Sequence, residues 1–315
     1  MKKCLVWHAG IYGNYIGENA IIKDGLVFLQ DDDNKLYLPK EMFLAEQECE
    51  GGLIPFEVQG KWGFADIYTG QIKIEPVWDY AGPFYGEYAH VELGTEGDFD
   101  SSGPTTENGG KHGLIDMTGK VIIPVEYDVL RGHIDHCLIV ANNEKWGIIN
   151  YKNSIIIPLE WDKLIPLKVD YDIPQNYYKV KKNEKWGIIN YKSSIIIPLE
   201  WDELRKCYNN DWIFCGKAEP CEPYTSSEDK LLAKIFDEPL EPRSHKMKWG
   251  VFDKDFNLII NPELDEVPEQ PMPHKYPEYY LLKKGRRYGV LSKDGKMISD
   301  IKLFKKDAIK LIRTS

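Results

Sequence analysis

Between Tyr177 and Leu199, apolar and polar residues sort into three short runs. YYKVKK (177–182) alternates weakly, KWGIIN (185–190) carries Trp186 and two isoleucines, and IIIPL (195–199) is rich in β-branched side chains. Runs of this length, separated by the polar stretches Asn183-Glu184 and Tyr191 to Ser194, predict three strands joined as an antiparallel meander. Elsewhere in the chain, Thr69-Gly70, Thr118-Gly119 and Asp294-Gly295 fall at the second of these turns, where a tight hairpin needs positive φ. Pro76, Pro124, Pro158, Pro198 and Pro262 recur near the end of the third strand. Proline cannot donate to a ladder, so that strand is expected to lie at a sheet edge or to leave the sheet there.

The pattern is repeated almost word for word. NEKWGIINYKNSIIIPLEWD (143–162) and NEKWGIINYKSSIIIPLEWD (183–202) lie 40 residues apart and differ only at Asn153 against Ser193. Weaker copies begin at Lys61, Lys111, Lys248 and Arg287, and Asp24-Gly25 with Pro39 marks a worn copy at the front. A fixed period of this size means a tandem array of small units, each burying its apolar face on its neighbours. The expected fold is all-β: six to seven three-stranded antiparallel meanders, arranged as a propeller-like ring or as an open superhelical array. Residues 1–50 read as a degenerate repeat or cap, 51–300 as the repeats proper, and 301–315 as a C-terminal capping helix. Within IKLFKKDAIKLI, Ile301, Phe304, Ala308 and Leu311 fall at helical spacing, with lysines flanking them.

Two aromatic positions recur in each copy. Trp62, Trp146, Trp186 and Trp249 precede Gly63, Gly147, Gly187 and Gly250, while His112 and Tyr288 keep a flat ring at the same place. The ring is expected to bury against a neighbouring unit, and the glycine to let backbone or ring approach closely. The second position, Trp78, Tyr127, Trp161 and Trp201, precedes Asp79, Asp128, Asp162 and Asp202, which are expected to bond local backbone in a turn.

The phrases KWGFADIYTGQIKIEPVWD, KHGLIDMTGKVIIPVEYD and KWGIINYKNSIIIPLEWD resemble the WG-repeat family, named for its Trp-Gly pair, over about residues 50 to 300. That resemblance implies a bacterial repeat protein and specifies no catalytic residues. The small, glycine-rich segment usual between units of that family is represented well only by GPFYGEYA (82–89).

Charge and composition narrow the function classes. The net charge is −10, yet the last 37 residues, from Tyr279, carry eleven Lys and Arg against three Asp, which leaves −18 on the first 278. An acidic body disfavours nucleic acid, whose phosphates need a basic surface, and suits a basic protein partner. No apolar run approaches the roughly 20 residues of a bilayer span, and MKKCLVWHAG is a poor secretory signal, so no membrane association and a cytoplasmic setting are expected. Six scattered cysteines without a CxxC pair point to reduced thiols; Cys215 with Cys221 is the pair that an oxidising compartment would bridge.

The copies are spaced by 50, 34, 40, 63 and 39 residues, so two of them have grown. Gly94 to Gly110 and Glu219 to Lys246 both fall between the first and second strands, which sends both loops to one rim, the usual binding surface of a repeat body. Candidate contact residues are Asp98, Phe99, Asp100 and Glu107 in the first loop. Leu232 and Phe236 lie on a short helix, capped by Ser226-Ser227-Glu228-Asp229, in the second. Lys168 to Asn176 and the proline-rich Val267 to Pro277 precede first strands and belong to the opposite rim. His133-Ile134-Asp135-His136-Cys137 is the densest run of metal-ligand types, but strand alternation would split its donors between two faces. The chain has no Walker loop, GxGxxG, GxSxG or HExxH. The expectation is therefore a protein that binds another protein without catalysis and without a cofactor, of the immunity or inhibitor type. The alternative is a cell-wall or carbohydrate binder that stacks sugars on exposed tryptophans.

Overall fold

The computed structural model describes residues 2–9, 15–42, 50–94, 99–100, 103–104, 110–132, 137–167, 177–207, 212–219, 246–269 and 278–314. The chain divides into two compact halves, Met1–Trp161 and Asp162–Ser315. Both are built from antiparallel strands, and no described helix is long and apolar enough to cross a membrane.

The meander predicted at 177–199 is present as Tyr177–Lys182, Lys185–Asn190 and Ile195–Trp201. A fourth strand, Lys163–Pro166, precedes it and pairs with Tyr177–Lys182. Tyr80–Tyr85, Val129–Gly132 and Glu203–Lys206 play the same part in three other repeats, so most repeats are four-stranded sheets. KLIP and ELRK are too short to show a period, and their extended form depends on the strand they pair with.

In the N-terminal half, Lys2–Ala9 takes that outer place on the first repeat, pairing Val6 with Phe56. With Tyr15–Lys23, Leu26–Gln30 and Leu36–Tyr37 it extends the sheet to seven strands, and the sheet curls back on itself where Val27 N–H donates to Gly70 O (2.8 Å). Val6, Val27, Leu29, Ile54 and Phe56 fill the interior so enclosed. In the C-terminal half, the last sheet (Tyr279–Lys284, Arg287–Ser292, Met297–Leu303) is covered by the helix Lys305–Thr314 through Ala308 and Ile312. The helix thus begins later than the apolar spacing suggested. Ile301 lies on a strand, and Phe304 is exposed beneath the Arg287 guanidinium (4.4 Å).

The Trp-Gly motif has a geometric cause. Trp62 is the direct cross-strand partner of Trp78, and Phe64 that of Ile74, so Glu75, Pro76 and Val77 stand opposite Gly63 alone. This bulge pushes backbone into the space of a side chain: a Cβ at Gly63 would lie 2.5 Å from Ile74 O. Gly113, Gly147, Gly187 and Gly250 meet the same carbonyl at 2.5–2.7 Å. Proline is tolerated there because the strand is at a sheet edge and the bulge needs no donor. The two recurrent aromatics therefore form one cross-strand pair, repeated as Trp146 with Trp161 and Trp186 with Trp201.

The aspartate after the second aromatic reaches much further than a local turn. Its carboxylate accepts from the lysine that opens the same repeat, in Lys61–Asp79, Lys111–Asp128, Lys185–Asp202 and Lys248–Asp265. Its other oxygen accepts a backbone N–H at the end of the next repeat's first strand or in the turn after it: Gly94 to Asp79 (2.7 Å), Asn183 to Asp162 (2.9 Å), Ala218 to Asp202 (2.8 Å). Asp79, Asp128, Asp202 and Asp265 each staple consecutive repeats. The local turn-binding role falls to a different residue, at the end of the second strand. Asp66, Asp116, Asn150, Asn190 and Asp253 each accept N–H groups two to four residues on. The left-handed position that closes these turns is filled by Gly70, Gly119 and Gly295, as expected, and by Asn153, Ser193 and Phe256.

Candidate functional site

Of the residues proposed from sequence for the rim loops, Asp98, Glu107, Leu232 and Phe236 lie outside the described residues. Phe99 and Asp100 are described as backbone only, pairing with Pro104 and Gly103. His133, Asp135 and His136 also lie outside, and Cys137 opens the strand that pairs with Lys145–Asn150. Cys4, Cys207 and Cys215 are buried free thiols, and burial raises those of Cys4 and Cys215 to about 12; Cys221 is outside.

Among the described residues, one cluster of potential metal ligands is found, and it lies in the second repeat. Glu92, only 1% exposed, is the one fully buried charged side chain described. It sits mid-sheet, cross-strand to Tyr80 on one side and His112 on the other, with His90 two residues along the same strand and so on the same face. His112 Nδ1 lies 3.3 Å from Glu92 Oε1 and 3.0 Å from His90 Nε2, and His90 Nδ1 is 3.7 Å from the same carboxylate oxygen. The imidazoles stack, with centroids 5.1 Å apart and planes inclined by 12°. Desolvation pushes His90 below the ordinary imidazole range and His112 adds to that, while Glu92 opposes it. Burial, aided by Glu92, raises the Tyr80 phenol.

Sequence reading takes His112 as a ring replacing tryptophan and, with Asp98, Asp100 and His133, as a hint of a polar rim, but does not join it to His90 and Glu92. The missed signal was that both histidines depart from the other repeats together, around a glutamate that only the first repeat shares, as Glu57. Where Glu92 and His90 stand, the other repeats have Glu57 and Pro55, Ala141 and Ile139, Lys181 and Lys179, Gly216 and Phe214, Lys283 and Leu281.

A second feature is an exposed aliphatic side chain that recurs at one position of the repeat. The first residue of the third strand is 39–65% exposed in five repeats: Val121, Ile155, Ile195, Leu258 and Met297. In the first repeat the equivalent Ile72 is partly covered by the N-terminal strands. The C-terminal half also holds a groove of about 900 Å³, lined by Ile165, Leu167, Lys179, Trp186, Leu204 and Arg205 among others. Lys179 spans it, 4.4 Å over the Trp186 ring, with its ammonium donating to Leu204 O (3.1 Å); burial lowers its pKa.

The recurrent tryptophans are not open platforms. Trp62, Trp78, Trp161, Trp201 and Trp249 are buried, and Trp146 and Trp186 are half-buried. Trp62 packs edge-on to Tyr80 of the next repeat (5.2 Å).

None of the curated proteins matches the chain in sequence. Among solved structures, it is distantly similar to a crystal structure of the eukaryotic initiation factor: 11% identity, 96% of this chain and 85% of that one, TM-score 0.29. It is similar at the same level to the Neurospora crassa Pan2 WD40 domain (12%, 76% and 72%, TM-score 0.26) and to a putative TolB from Agrobacterium tumefaciens (8%, 81% and 86%, TM-score 0.26). The model of the WG containing repeat matches residues 62–94, 113–132, 146–186, 186–214 and 249–269. These stretches carry the bulged Trp-Gly hairpins described above, and the chain carries the WG containing repeat at these five places.

Proposed function

We propose that this chain is a non-catalytic binding protein whose ligand is another protein. The observation that carries this reading is the recurrence of an exposed aliphatic side chain at the same place on the edge strands within each half: Val121 and Ile155 in one, Ile195, Leu258 and Met297 in the other. A single exposed aliphatic needs no explanation, but one that recurs from repeat to repeat gives each half more than one apolar contact for a partner. The proline-bearing bulge blunts the same edge strands against indiscriminate strand pairing, so these residues are offered as side chains and not as a free ladder.

The net charge of −10 favours a basic partner through steering and complementarity, which fits an inhibitor or immunity-type protein acting in the cytoplasm. Burial of the tryptophan rings weighs against sugar stacking. The test is affinity capture with the tagged chain beside an Ile155→Glu, Ile195→Glu, Leu258→Glu variant and a version with loops 95–109 and 219–244 shortened. A basic protein held by the wild type and lost with the triple variant supports the reading. Equal capture by the wild type and the triple variant would overturn the role of the recurrent aliphatics, and loss only with shortened loops would move the interface to the rim.

A further inference from the structure

We propose that His90, Glu92 and His112 form a binding site for a divalent transition metal, with Zn²⁺ as its natural fit. The donor set is two imidazoles and one carboxylate, a combination suited to zinc and to neighbouring first-row ions. The geometry is near what such an ion needs without backbone movement. A tetrahedral zinc with bonds of about 2.0–2.1 Å separates its ligand atoms by roughly 3.3 Å. The His90 Nε2 to His112 Nδ1 and His112 Nδ1 to Glu92 Oε1 separations are 3.0 and 3.3 Å, and donor atoms of all three residues lie within 4.8 Å of one another.

The three come together for reasons set by the sheet. Glu92 and His112 are directly opposite on adjacent strands, and His90 follows on the same face. Such cross-strand and same-face neighbours keep their spacing because the ladder holds both backbones, giving a preformed site on rigid elements. A cation also supplies counter-charge to a carboxylate held out of water, where charge is costly unless compensated. His90 is the most open member, with 31% of its side chain exposed against 13% for His112 and 1% for Glu92. Metal therefore enters from the His90 side, and the remaining coordination position points that way, toward water or a donor from a partner.

None of the other repeats has this set, and their residues supply substitutions that the architecture already accommodates. His112→Trp restores the ring found at Trp62, Trp146, Trp186 and Trp249, and His90→Ile copies Ile139. The full chain, stripped with chelator, is titrated with Zn²⁺ against a chromophoric competitor, and with Co²⁺ for the visible spectrum of a low-symmetry nitrogen and oxygen site. The wild type is expected to bind a single ion, to unfold later when it is present, and to give the Co²⁺ bands. Each variant is expected to lose at least about tenfold in affinity, since even loss of a residue that merely orients a ligand costs that much. A His133→Ala, His136→Ala variant is expected to bind as the wild type does.

No Zn²⁺ uptake by the wild type would overturn the site and leave a hydrogen-bonded His–His–Glu network. So would undiminished uptake by both His90→Ile and His112→Trp, or loss of uptake only with His133 and His136. Unfolding of each variant without metal shows whether it folds. If His112→Trp does not, His90→Ile decides the matter.

Discussion

Lys248 Nζ donates to Asp265 Oδ1 at 2.6 Å, joining the first residue of the Trp-Gly motif to an aspartate 17 residues later. Asp265 Oδ2 meanwhile accepts from the backbone of Gly285 in the following repeat, and its own N–H donates to Lys283 O (2.9 Å). One carboxylate thus ties the second and third strands of one repeat to the first hairpin of the next. Asp265→Asn removes the charge from both bonds and is expected to cost about 1–3 kcal/mol, the range for hydrogen bonds to ionised groups. Lys248→Met, which leaves the backbone bond in place, is expected to cost at most about 1 kcal/mol, as for an exposed ion pair. Urea unfolding midpoints of the three proteins measure both, and equal costs would refute the division of roles.

The same staple sets an acid limb of stability. Lys248 first, then the Gly285 N–H, holds the Asp265 carboxyl below its ordinary value of 3.8, and Lys111 does the same for Asp128. Because the folded-state value is the lower one, the unfolded chain takes up protons first as pH falls. The contribution is therefore complete above the ordinary carboxylate range and is lost as pH drops from there through the depressed value. Denaturant titrations between pH 6 and pH 2, given as about these limits from the carboxylate reference values, should show a shallower acid loss for Asp265→Asn than for the wild type. Parallel curves would contradict this account.

Gly187 is required by the bulge and not by its dihedrals. A Cβ there would lie 2.7 Å from Ile197 O, and at Gly147 2.6 Å from Ile157 O, whereas at Gly132 it would meet nothing within 4 Å. Gly187→Ala and Gly147→Ala are each expected to destabilise by about 1–3 kcal/mol, the usual cost of overpacking. Gly132→Ala is expected to stay within about 0.5 kcal/mol of the wild type. Calorimetry or chemical unfolding decides, and a stable Gly187→Ala protein would mean that the bulge opens freely.

The one difference between the two near-identical copies falls at a left-handed position, Asn153 (φ 57°) against Ser193 (φ 60°). Glycine occupies the equivalent place at Gly70, Gly119 and Gly295. Ser193→Gly relieves a conformation that costs L-residues about 1–2 kcal/mol, partly offset by glycine's greater freedom when unfolded, for an expected gain of up to about 1 kcal/mol. Asn153→Gly gains less or loses outright, because Asn153 Oδ1 accepts from the buried Tyr127 hydroxyl (2.9 Å). A midpoint for Asn153→Gly that rises less than that for Ser193→Gly, or falls, is the expected outcome.

Strand positions, the edge character of the proline strand and the left-handed residues at Gly70, Gly119 and Gly295 were determined by the sequence itself. Each rests on local dihedral preference or on a period of two, which neighbouring residues express without knowing the rest of the fold. Pairing decided the remainder. That Trp186 faces Trp201, and that Gly187 alone opposes three residues, follows from a bulged register that no local preference encodes. Asp202 reaches Lys185 and Ala218 because consecutive repeats meet there, and Glu203–Lys206 is a strand only through its partner. His90 and His112 stand 22 residues apart with a grown loop between them, so their spacing in the chain carries no chemical pattern. They meet beside Glu92 because tertiary pairing, which sums many weak cross-strand contacts, chose the register that brings them to one face.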